Sequence, residues 1–263
     1  MPRQPRTKSV TGIYHVMLRG INRQLIFEQE SDYRKFIDLL RQMVSPTDEL
    51  GKPLPQRCVL YAYCLMPNHV HLLIQEKAED LSTVIWRIAS TFAMYYNVKY
   101  EHFGHLFQDR FKSEPVNDVA YFYTLIRYIH QNPIAGGLCE NIDYYEWSSW
   151  NEYLGHPRYG SPICATSSVL KRIPLKELDE LVRTPLPKAA SILDFDKRGC
   201  MVSDEEVRAF LTSTYGLNKP TDLQLYSKER RDEILDAARN YGASIRQLSR
   251  LTSIGIKIIR KAH

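Results

Sequence analysis

Met66-Pro67-Asn68-His69-Val70-His71-Leu72-Leu73-Ile74 reads as the turn and second strand of a β-hairpin. Side chains alternate along a strand, so His69 and His71 project to one face while Val70 and Leu72 project to the other, into a core. The run from Arg57 to Met66 reads as the partner strand, joined through the tight Met66-Pro67-Asn68 connection. Two imidazoles on one face can share one cation. Alone, a His-x-His pair is a weak signal, because two histidines can fall in a half-exposed strand without binding anything.

Outward from the hairpin, Gly12 to Arg19 reads as a strand ended by Gly20 and Asn22, and Ser31 can cap a helix running to about Met43. Ser45 to Gln56, with three prolines and a glycine, reads as a linker. Leu81, Val84, Ile85, Ile88, Phe92 and Tyr95 recur at helical spacing and predict a helix to about Tyr100. Phe107 to Val116 then reads as a strand. This order predicts an α+β fold, a ferredoxin-like antiparallel sheet with helices on one face, followed by a mainly α C-terminal region.

After that strand, a helix capped by Asn117 or Asp118 is expected to stop at Pro133. Tyr128 and Asn132 lie one turn apart on it. If the helix packs beside the His69 strand, a tyrosine hydroxyl and an amide oxygen approach a metal held by the histidines. That constellation suits metal-assisted phosphoryl transfer through a covalent tyrosine intermediate. Tyr121 and Tyr123 compete as nucleophiles. Asn132 is a ligand or a helix C-cap, and Gln131 replaces it if the register is off by one.

Pro67-Asn68-His69-Val70-His71-Leu72-Leu73, Gly104-His105-Leu106-Phe107-Gln108-Asp109-Arg110-Phe111-Lys112, Tyr128-Ile129-His130-Gln131-Asn132-Pro133 and the opening Tyr14-His15-Val16-Met17-Leu18-Arg19-Gly20 resemble the signature blocks of single-tyrosine HUH transposases. The REP-associated tyrosine transposase-like group is the branch they resemble most. Four blocks in family order over about the first 155 residues are far more specific than any one of them. The resemblance implies Tyr128 as nucleophile, with His69, His71 and Asn132 as ligands of Mg²⁺ or Mn²⁺. It implies a transposase that cleaves and rejoins single-stranded or hairpin DNA through a 5′-phosphotyrosine. The alternative from another class is a non-catalytic DNA-binding regulator derived from a transposase.

Other His-x-His chemistries fit poorly. A His-x-His-x-Asp-His hydrolase would need an acid and a histidine where Leu73 and Ile74 stand, and a histidine-triad nucleotide hydrolase would want a third histidine at Leu73. His102 and His105 could pair on a helix, but Gly104 breaks the helix between them.

The 263 residues carry 44% hydrophobic and 25% charged side chains, which is ordinary for a globular protein. From Lys228 to His263 nine Lys/Arg face four Asp/Glu, so this segment holds the whole formal excess of +5. Its helical stripes resemble the helix-turn-helix of replication initiators, with a packed three-helix bundle as the other reading. The expected division is a catalytic domain over 1–155, a linker and accessory helical region over 156–227, and a helix-turn-helix-like segment over 228–263. Candidate DNA contacts are Arg19, Arg23, Arg110, Lys112, Arg246, Arg250, Lys257 and Arg260, each also readable as a surface charge. Five scattered cysteines without a Cys-x-x-Cys pair, and no long apolar span, suggest a cytoplasmic protein that does not enter a membrane. A homodimer is left open.

Overall fold

The computed structural model describes residues 6–108, 110–186, 192, 202, 204–243 and 245–259, with only the main chain at 205, 246 and 257. Arg260 and the side chains of Arg246 and Lys257 therefore lie outside the described residues. The chain divides into two compact units, Met1–Asp194 and Phe195–His263.

In the first unit, β1 (Ile13–Arg19), α1 (Glu30–Val44), β2 (Cys58–Met66), β3 (His69–Glu76), α2 (Leu81–Lys99) and β4 (Lys112–Pro115) follow in the expected βαββαβ order. All neighbouring strands are antiparallel in the order β2-β3-β1-β4. Alternation sorts the side chains. Tyr14, Val16 and Leu18 join Val70, Leu72 and Ile74 in one core, closed by Phe36, Leu40, Val84, Ile88 and Phe92 of α1 and α2. A bulge between Leu60 and Ala62 switches the facing of β2 midway.

The opposite face, to which His69 and His71 project, is not open. α3 (Val119–Ala135) covers it, placing Leu125, Ile126 and Ile129 against Ala62, Cys64, Met66 and Leu73. The Asp118 side chain caps α3 by accepting from the Tyr121 N–H at 2.7 Å, while Asn117 instead accepts from Ser9 and Val10. Pro133 does not stop the helix, which runs on to Ala135 with Gly136 as its C-cap. A proline so near the end removes one hydrogen bond from a turn that is about to finish, so the cost is contained. Asn132 is consequently inside the helix and is not its cap.

Three further elements differ from the expected bounds. Only Lys112–Pro115 of the span 107–116 is strand, with Phe107 held to Gly20 by a single bridge. α1 starts before Ser31, and Gln29 caps it through a reciprocal bond with Asp32. Residues 156–186 are part of the first unit, so its edge falls well past 155. Glu152 accepts from the N–H groups of Ile163 and Cys164, and α5 (Thr166–Leu170) and α6 (Leu175–Arg183), after the short α4 (Trp150–Tyr153), bury Val169, Leu178 and Val182 against α3.

The second unit holds α7 (Asp204–Tyr215), a 3₁₀ turn (Pro220–Leu225), α8 (Lys228–Tyr241), α9 (Ile245–Thr252) and α10 (Ile256–Ile259) around Leu211, Leu223, Ile234, Leu235, Leu248 and Ile259. The segment from Lys228 therefore shares its core with α7 and the 3₁₀ turn. Gly242 closes α8 at φ +120°, and Ser253 takes φ +58° between α9 and α10, where glycine is favoured. No described helix is long and apolar enough to cross a membrane.

Candidate active site

The register of the sheet gathers the polar residues. Antiparallel partners share a face, and the pairs Arg19–His69, Met17–His71, His15–Leu73, Lys112–Met17 and Glu114–His15 all lie on the α3 side. Sequence reasoning placed His69 and His71 there together but gave His15 and Glu114 no role. The signal was present in β1, where His15 stands between Tyr14 and Val16 in a strand otherwise almost wholly apolar.

Tyr128 comes down from α3 onto this face. Its ring meets those of His71 and His15 edge-on, with centroids 5.4 and 5.8 Å away, and its hydroxyl is buried. Helix and strand thus pack as the sequence required, and Tyr128 and His71 are brought together. His69 and His71 stand edge to face at 5.0 Å. Tyr121 is engaged elsewhere, donating to Glu114 Oε2 at 2.6 Å. Burial first, and that carboxylate next, push the Tyr121 hydroxyl up, away from the phenolate a nucleophile needs.

Both histidines of the pair are held through Nδ1. His69 Nδ1 lies 2.6 Å from Asn68 Oδ1, and His71 Nδ1 lies 3.1 Å from His15 Nε2. Asn68 is itself fixed by the turn after β1. Its carbonyl accepts from Gly20 N–H at 2.9 Å, and its amide donates to the Arg23 carbonyl at 3.4 Å. Gly20 has no room for a side chain, since a Cβ would sit 2.3 Å from the Gln24 carbonyl oxygen. Asn22 and Arg23 are left-handed at φ 50° and 64°, a conformation costly for non-glycine residues.

His71 is wholly buried, and its Nε2 has no hydrogen-bond partner among the described residues. Burial first, then the neighbouring His69 and His15, hold its pKa well below the usual histidine range. Burial likewise lowers His15 to about 3. Neutral imidazoles pinned at Nδ1 are the form in which histidine binds a metal through Nε2. An orphaned, buried Nε2 is the observation that fits a divalent ion here. Asn132 donates its amide to the Tyr128 carbonyl at 2.8 Å, which leaves the side-chain oxygen as the atom to offer a cation. Among the described residues, no group of three His, Cys, Asp or Glu could hold a metal unaided.

The proposed DNA contacts are scattered. Arg19 ends β1 opposite His69, Arg23 sits in the strained turn, Lys112 opens β4, and Arg110 is exposed just before it. Arg250 in the second unit bonds both oxygens of Asp204 at 2.7 Å.

No curated protein matches the chain. A solved structure, of the REP-associated tyrosine transposase bound to a REP hairpin, is similar with a TM-score of 0.47 and 15% identity, over 60% of this chain and 88% of that one. The family model described as "Transposase IS200 like" matches residues 8–132, a span that begins just before β1 and ends on Asn132, enclosing every residue of the histidine and tyrosine cluster. From just before the first strand of its sheet to Asn132, this chain is similar to the IS200-like transposases.

Proposed function

We propose that the protein cleaves and rejoins single-stranded or hairpin DNA, with Tyr128 as the nucleophile. One observation carries this reading: among the tyrosines of α3, it is Tyr128 whose ring lies against His71 and His15 on the polar face of the sheet. The Tyr128 oxygen bonds to phosphorus as the bond to the 3′ oxygen breaks. One proton leaves Tyr128 and one arrives on the 3′ oxygen, giving a 5′-phosphotyrosine and a 3′-hydroxyl. Attack by a second 3′-hydroxyl reverses the step, and the phosphotyrosine conserves the bond energy, so no nucleotide triphosphate is needed.

His69, His71 and Asn132 would hold Mg²⁺ or Mn²⁺, which when bound supplies charge neutralisation at the phosphate. The protein's own part is positional. α3 sets the hydroxyl, Asn68 and His15 set the imidazoles, and Glu114 keeps Tyr121 out of competition. The Tyr128 hydroxyl is itself buried, beside the His15 and His71 rings.

Incubation with an end-labelled DNA hairpin bearing single-stranded flanks, in Mn²⁺, followed by a denaturing gel, tests the reading. A covalent adduct lost in Tyr128→Phe is expected. DNA binding without any adduct would instead make this a regulator built on a transposase domain.

A further inference from the structure

A groove of about 880 Å³ runs between α2 and residues 104–108, 110 and 111, on the sheet face away from Tyr128. Its walls combine two chemistries. Trp86 of α2 lines it while 66% exposed, which is unusual for the largest apolar side chain, and Phe107 and Phe111 line the other side. The Arg6 guanidinium lies 3.6 Å over the Phe111 ring, anchored by bonds to Ser82 Oγ at 2.9 Å and the Phe111 carbonyl at 3.3 Å. Arg110 brings a second guanidinium to the same groove.

Among the described residues no carboxylate lines this groove. Two cations therefore converge there with no carboxylate among the described lining residues, and burial first, then Arg110, lower the Arg6 pKa. An apolar partner would satisfy the aromatic walls and leave the guanidinia unanswered. An acidic peptide would do the reverse. Unstacked nucleotides answer both, with a flat base for the ring and an anion for the fork.

Resting on the DNA-cleaving reading above, we propose that the groove between α2 and residues 104–108, 110 and 111 binds a single-stranded DNA flank, one base stacked on Trp86 and a phosphate bridging Arg6 and Arg110. Duplex DNA does not fit this demand, because its base faces are already stacked. Phe111 leads directly into β4, the edge strand whose Glu114 bonds Tyr121 on the other face. A strand seated in the groove thus leaves it at the sheet edge beside the α3 face, and the groove holds flanking nucleotides away from the phosphodiester under attack.

Titration of the full chain with short oligo(dT), read by tryptophan fluorescence and by anisotropy of a labelled strand, tests this. Oligo(dT) is expected to quench Trp86. Trp86→Ala is expected to weaken binding about tenfold, whereas Trp86→Phe keeps the affinity and loses the quenching. Arg6→Ala with Arg110→Ala should lower the slope of log K against log salt by about 0.7 for each phosphate no longer neutralised. Blunt hairpins lacking a flank should bind all variants alike. Trp86 is mostly exposed, so its loss leaves the fold intact. Absence of quenching, or unchanged oligo(dT) affinity and salt slope in these variants, overturns the proposal even if Tyr128 still forms its adduct. Quenching and the variant effects without any adduct would uphold the groove and refute the cleavage reading.

Discussion

His15 Nε2 lies 3.1 Å from His71 Nδ1, a hydrogen bond between two fully buried imidazoles on neighbouring strands. It decides which nitrogen His71 can offer. If His15 accepts the Nδ1 proton, the His71 lone pair stands at Nε2; if His15 donates, Nε2 carries a proton and cannot bind a cation. His15→Phe is therefore expected to weaken Mn²⁺ binding to the DNA-free protein by about 10- to 100-fold, with His15→Gln, which keeps an acceptor, recovering part of the loss. Electron paramagnetic resonance of free Mn²⁺ measures both. Equal affinity in His15→Phe would remove His15 from the site.

Substituting the two nucleophile candidates separates them. Tyr128→Phe deletes one oxygen and should abolish the covalent adduct while DNA binding persists. Tyr121→Phe should retain the adduct, because that hydroxyl serves Glu114. Peptide mapping of an adduct to Tyr121 would reverse the assignment.

The histidine pair is asymmetric in burial, which changes how its variants behave. His69→Ala removes a partly exposed ring and should lose cleavage at near-native stability. His71→Ala empties a fully buried position and should also cost about 2 kcal/mol or more. Urea unfolding alongside the cleavage assay distinguishes lost ligation from lost fold.

A third buried imidazole gives the protein a pH limit. His130 shares hydrogen bonds with the Ile126 carbonyl and Ser149 Oγ, each at 2.8 Å, and burial lowers its pKa to about 4. An unfolded chain takes up that proton near the ordinary histidine pKa of about 6.5, while the native state refuses it until about 4. Its contribution is complete above about 6.5 and is lost progressively as pH falls to about 4, up to roughly 3 kcal/mol. Urea titrations across this window should show the decline, to which the buried His15 and His71 also contribute, and His130→Gln should make it shallower by one histidine's share.

Ending the chain after Leu186 tests the second unit, since cutting at Lys228 would leave α7 and the 3₁₀ turn without the core they share with α8 to α10. The shortened protein should fold, bind DNA more weakly, and show a salt slope smaller by about 0.7 to 0.9 for each phosphate the second unit had neutralised. Adduct formation at saturating DNA should survive. An unchanged slope would make the second unit a packing or partner-binding module.

The alternation that put His69 and His71 together was legible because strand periodicity is local, and so was the one-turn spacing of Tyr128 and Asn132. His15 escaped because its partner is 56 positions away, and only the β1–β3 register joins them. Pro133 misled because a missing N–H is costly inside a helix and cheap two residues from its end. Gly155 to Ser168, the glycine- and proline-rich start of the region expected to be a linker, is instead tied to the first unit, since Glu152 reaches forward for two of its N–H groups, a tie that composition cannot display.

Arg127 and Gln131, on either side of Tyr128, reach across to α6 and its exit. Gln131 donates to the Val182 and Thr184 carbonyls, and Arg127 to those of Thr184 and Pro185. Every acceptor is main chain. Drift in the identities of residues 183–185 leaves the main-chain grip on the tyrosine's helix untouched, whereas inserting or deleting one residue there would shift all the acceptors together. Among diverged copies of such a domain, this stretch should tolerate spelling changes and resist changes of length.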